Sequence, residues 1–102
     1  MNHGLPRRKV GVAEIRRKFN QRRLWERVQS GQLREDVLKD RHPSLPRANE
    51  PFCTRSQLVR YKDANGRTVA LVHQYLRQDG TLGASGRPDP KMLRDGRTIL
   101  HL

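Results

Sequence analysis

"SQLVRYKDANGRTVALVHQYLRQDG", residues 56–80, is the stretch that decides how this chain folds. Asn65-Gly66 stands between two runs rich in β-branched and aromatic residues. Asn-Gly supplies the positive backbone angles that a tight hairpin turn needs. In the second run Val69, Leu71, His73 and Tyr75 share one face of an extended chain, and Ala70, Val72, Gln74 and Leu76 share the other. Both faces are largely apolar, which predicts a central strand covered on both sides. Asp79-Gly80 closes it with a further turn.

Toward the C-terminus, "GTLGASGRPDPK" reads as a glycine-hinged loop stiffened by Pro88 and Pro90. A short strand is predicted over residues 98–101, after the Asp95-Gly96 turn. Toward the N-terminus, residues 41–54 hold three prolines and read as a connector, while residues 1–10 read as a basic tail. Residues 11–29 contain strong helix formers and no proline. Val12, Ile15 and Phe19 lie on one helical face, with Leu24, Trp25 and Val28 on nearly the opposite one. This predicts one long helix, or two with a bend near Asn20, stopped at Ser30-Gly31. A second short helix is predicted over residues 32–39. The expected architecture is α+β, a basic helix or bent helix pair packed on a small, mainly antiparallel sheet built around one hairpin. At 102 residues one small domain is expected, with a helical part over 11–40 and the hairpin and C-terminal strand over 55–102.

Charge is the strongest global signal, with 22 Lys and Arg against 10 Asp and Glu, a net charge of +12. Seventeen of the cations are arginine, whose planar fork grips phosphate through two hydrogen bonds. Such a balance points to a polyanionic partner, with RNA or a ribonucleoprotein surface favoured over DNA. The charge is concentrated in Arg7, Arg8, Lys9, Arg16, Arg17, Lys18, Arg22, Arg23 and Arg27, diluted by Glu14 and Glu26 alone. On a continuous helix Arg16, Arg23 and Arg27 form a stripe that could follow a phosphate backbone. Arg77, Ser85, Arg87 and Lys91 form a second candidate contact, where successive loop amides could add an anion nest.

Other chemistry is constrained by what is missing. His3, His42, Cys53, His73 and His101 are scattered, with no CxxC, HxxxH or His–carboxylate spacing, so no metal site and no cofactor is expected. A lone cysteine forms no intrachain disulfide. No signal-like opening and no long apolar run is present, so a cytoplasmic protein without a membrane partner is expected. "RPDPK" echoes fragments of the PD-(D/E)xK nucleases over five residues, but Asp89 would serve as both carboxylates and Pro90 would interrupt the strand.

Metal-independent RNA cleavage is the alternative function. It needs a proton acceptor, a proton donor and cations for the phosphorane charge, and His73, Tyr75, Arg77, Ser85, Arg87 and Lys91 are the right types. Within that reading His73, Arg77 and Lys91 are the catalytic candidates, although alternation with Leu71 and Tyr75 favours a structural sheet histidine. Basic helices followed by a hairpin-rich sheet resemble, in layout and charge, the small ribosome-dependent ribonuclease toxins of the RelE type, which implies an α+β fold and ribonuclease activity. A third reading is an inhibitor or adaptor whose arginine face meets a protein partner.

Overall fold

The computed structural model describes residues 4–42 and 49–102. His3 and the centre of the proline-rich connector lie outside them. The hairpin forms as the sequence predicts, from β3 (Arg55–Lys62) and β4 (Thr68–Leu76). Its turn is fixed by Asp63, whose Oδ1 accepts the backbone N–H groups of Asn65 at 2.9 Å and Arg67 at 3.0 Å. Gly66 takes the left-handed conformation the turn needs, at φ +78°.

Around this hairpin the sheet grows to six strands in the order β1-β6-β5-β4-β3-β2, so one hairpin understates it. The predicted C-terminal strand is β6 (Thr98–His101), antiparallel to β5 (Asp89–Asp95). β5 corrects the reading of residues 88–91 as a stiff loop. The ladder slips between Leu71 and Val72, so that Pro90 faces Val72 and Lys91 bulges out. A bulge is where a strand tolerates proline.

Two further elements are corrected. Residues 34–41 form strand β2, not a helix, antiparallel to β3 with a bulge at Leu38. A helix of that length with one apolar edge nucleates poorly. As a strand, the same residues satisfy the outward backbone groups of β3. The basic tail contains strand β1 (Arg7–Lys9), parallel to β6, so the sheet is antiparallel except at this seam. Val10 follows into the core and donates its N–H to the His101 carbonyl at 2.8 Å.

The helical region is the bent pair, α1 (Val12–Gln21) and α2 (Leu24–Gln29), broken at Arg22-Arg23 rather than near Asn20. Arg23 adopts a left-handed conformation, φ 54°, which turns the second apolar face back onto the sheet. Ile15, Phe19 and Leu24 are therefore all buried, together with Leu33, against Val59, Tyr61, Ala70, Val72, Leu93 and Leu100. The Phe19 and Tyr61 rings lie 6.1 Å apart. Burial, reinforced by the negative charge of Glu35, pushes the Tyr61 hydroxyl well above its ordinary range. The helices cover only this face. β4 is central, as predicted, but the face bearing Leu71, His73 and Tyr75 is not covered by a helix. Among the described residues no helix is long and apolar enough to cross a membrane.

Candidate nucleic-acid interface

Strand register assigns the side chains of the open face. On β6 and β1, the alternation that buries Leu100 turns Ile99 and His101 outward, with Arg7 and Lys9 beside them. On β5, Met92 and Arg94 pair with His101 and Ile99. On β3, Leu58, Arg60 and Lys62 alternate with buried Val59 and Tyr61. On β2, Arg34, Asp36, Lys39 and Arg41 follow the same face. Adding Lys91 from the bulge, nine cations meet two carboxylates, Asp36 and Asp89. This basic sheet surface follows from period-two alternation in residues 55–62, masked in the sequence by the more conspicuous run in the helices.

At one end of this face, beyond β4, the 82–88 segment leaves a cleft of about 410 Å³. Its walls include His73, Tyr75, Ser85, Arg87, Asp89 and Lys91, together with Arg16 from α1 and Gln74 from β4. Asp89 is shared by two cations, Arg16 at 3.2 Å and Lys91 at 3.1 Å. Partial burial opposes ionisation of Asp89, but Lys91 and then Arg16 hold its carboxyl below the usual range. Arg87 reaches Glu26 at 3.1 Å and Asn20 at 3.3 Å, which ties the loop to the helices.

His73 is half-buried, with Nε2 2.8 Å from the Ser56 hydroxyl and its ring edge-on to Tyr75 at 4.7 Å. Burial, and then the ammonium of Lys91, push its pKa below the ordinary histidine value, with Asp89 pulling weakly the other way. The ring is therefore neutral at neutral pH. Gln74 donates from Nε2 to Gln57 Oε1 at 2.9 Å. Its own amide oxygen is buried with no hydrogen-bond partner among the described residues.

The sequence candidates separate into groups. Arg7 and Lys9 lie on the open face, whereas Arg8 pairs with Glu14 at 3.1 Å on the helix side. Arg16 joins the cleft. Lys18 pairs with Asp95 at 3.3 Å, and Arg22 donates to the Arg94 carbonyl. Arg17 and Arg23 are exposed, and Arg27 Nε donates to Gln32 at 3.2 Å. Because the helix breaks at Arg23, Arg16, Arg23 and Arg27 do not form one continuous stripe. Arg77 lies away from the cleft, donating to Glu50 Oε1 at 2.9 Å. The amides expected to make a nest are occupied: Gly83 donates to Tyr75, Ala84 to Glu50, Gly86 to Gly83 and Arg87 to Ser85. The loop thus offers an anion its side chains rather than its backbone.

Gln74 is a cleft residue that the sequence does not single out, and Arg16 is expected on a helix stripe rather than beside this loop. Arg16 reaches Asp89 only through the tertiary packing of α1 on β5, and Gln74 looks like one more position on a covered strand face. Among the described residues no three His, Cys, Asp or Glu side chains converge as metal ligands. Comparison of the chain with protein-family models, curated proteins and solved structures finds no match.

Proposed function

We propose that this protein binds RNA along the open face of its sheet, seating one phosphate in the cleft between Arg16, Arg87 and Lys91. The observation that carries this reading is the convergence there of three cations with His73 and Tyr75. Asp89 bridges Arg16 and Lys91 much as a phosphate oxygen would, so an incoming phosphate meets a pair of cations already spaced for it. The flanking cations of β1, β2, β3 and β5 extend the positive surface across the sheet. A 2′-hydroxyl is a donor that RNA has and DNA lacks, and Tyr75, which lines the cleft, carries a hydroxyl acceptor for it.

Fluorescence anisotropy with a single-stranded RNA and the DNA of the same sequence tests this directly. Affinity should fall linearly with salt on logarithmic axes, by about 0.7 in slope per phosphate neutralised. Charge reversal at Lys91 should weaken RNA binding about tenfold or more. Tyr75→Phe should narrow the RNA–DNA difference without changing the salt slope. Salt-independent affinity, or no binding at low salt, rules the reading out.

RNA cleavage is the second reading, because five of the six side chains the chemistry calls for, all but Arg77, line this one cleft. Neutral His73 would take the proton from a 2′-hydroxyl as that oxygen attacks phosphorus. Arg16, Arg87 and Lys91 would hold the phosphorane charge. The 5′-oxygen would leave with a proton from an acid in the cleft, giving a 2′,3′-cyclic phosphate and a 5′-hydroxyl. Incubation with RNA in the presence of a chelator distinguishes the readings: cyclic-phosphate ends that disappear in His73→Ala indicate cleavage, and intact bound RNA indicates binding alone.

A further inference from the structure

The opposite end of the open face has different chemistry. A groove of about 430 Å³ lies near the β3–β4 turn, floored by Leu38, Leu71, Met92 and Ile99. Its rim is cationic, formed by Arg7, Arg60, Arg67 and Arg94. Leu38 is 43% exposed although it faces an apolar floor, because the β2 bulge pushes it out beside Arg60. Arg60 pairs with Asp36, yet its Nε is buried without a hydrogen-bond partner among the described residues. An orphaned guanidinium N–H beside an uncovered aliphatic strip calls for a ligand that is both anionic and greasy.

We infer that this groove docks an acidic amphipathic helix of a partner protein. Its floor is aliphatic and, among the described residues, no aromatic one lines it, whereas His73 and Tyr75 line the cleft, where bases have aromatic surface to stack on. Aliphatic floors instead pair with the Leu, Ile and Val side chains of a protein helix laid in a groove. The arginine rim is complementary to Asp and Glu flanking that apolar stripe. Size agrees as well. From Leu38 on β2 to Ile99 on β6 the floor crosses four inter-strand steps, about 19 Å at the usual strand spacing. A helix rising 1.5 Å per residue covers that distance in about 13 residues, between three and four turns. Such a partner would lie across the strands beside the cleft, and the inference stands whether or not the cleft binds RNA.

The test uses a blocked synthetic peptide of about fourteen residues, with leucines at helical spacing and glutamates on both flanks. A scrambled peptide of the same composition, with its leucines spread around the helix, is the control. Titrated into the isotope-labelled full chain, the amphipathic peptide should shift the methyl resonances of Leu71, Met92 and Ile99 and bind at least about tenfold tighter than the scrambled one. Arg94→Glu and Met92→Lys, each checked for fold by circular dichroism, should both weaken it by a similar factor. Lys91→Glu, which disables the cleft, should leave it within about threefold, so that loss of RNA binding and loss of peptide binding are read separately. Equal binding of the scrambled peptide, shifts confined to His73 and Lys91, or groove shifts produced by an RNA oligonucleotide but not by the peptide, each overturn the inference.

Discussion

Gly83 takes no left-handed conformation, and what keeps a side chain from this position is a carboxylate. A Cβ built there would lie 2.5 Å from Glu50, whose side chain is only 5% exposed. Glu50 accepts Arg77 Nε at 2.9 Å and the Ala84 N–H at 2.9 Å, which hold its carboxyl below the ordinary range and clasp the loop onto the end of β4. Gly83→Ala must displace that carboxylate, so it should destabilise the protein by about 1–3 kcal/mol in urea denaturation. In the Glu50→Ala background its cost should shrink, because the obstacle is gone. His73 gives a second residue-level outcome. Its pKa is lowered on folding, so the unfolded chain takes up the proton first. Its contribution to stability is then complete above the ordinary value of 6.5 and declines as pH falls from there through the depressed native value. An anion in the cleft reverses the bias, so an NMR titration should place the His73 midpoint below 6.5 in the free protein and move it upward when inorganic phosphate is added. An unmoved midpoint would mean that the ring does not face the bound charge.

At the level of elements, the break between α1 and α2 turns on one strained residue. Arg23 is exposed, ends no side-chain hydrogen bond and sits at φ 54°, a conformation that suits glycine. Arg23→Gly should therefore raise stability by about 0.5–1 kcal/mol in urea melts, with RNA affinity changed only as one distant charge would change it. The same elements explain what could be read ahead of the structure. β4 was legible because Leu71 to Leu76 alternate cleanly around a strong turn, and β6 because a glycine turn precedes it. The helix pair was legible only in part, because two apolar faces at helical spacing fit either one long helix or two with a bend. β2 was not, since its composition suits a short helix equally well and only pairing with β3 decides against it. β5 was hidden by its prolines, which signal a loop until a bulge makes room for one of them.

Across the whole molecule, the cations divide between construction and display. Those of the helices largely brace the fold, as Lys18 does with Asp95, Arg22 with the Arg94 carbonyl and Arg27 with Gln32. Those of the sheet face outward with few carboxylates among them. A one-dimensional charge map weights the first group, because it is contiguous, and disperses the second, because alternation and strand order assemble it from four separate strands. His73, Ser85, Arg87 and Lys91 were legible as candidates from residue type and spacing, but their meeting in one cleft with Arg16 depends on how α1 lies on β5. The parallel seam of β1 on β6 has a consequence for how the protein is made. Arg7 pairs with Ile99 and Lys9 with His101, so β1 must wait for β6, which lies far along the chain. While the chain emerges from the ribosome, the β3–β4 hairpin can close locally, but the β6–β1 edge of the sheet cannot. The basic face is thus completed only once β6 is in place, and until then a nascent chain lacks its finished row of outward cations.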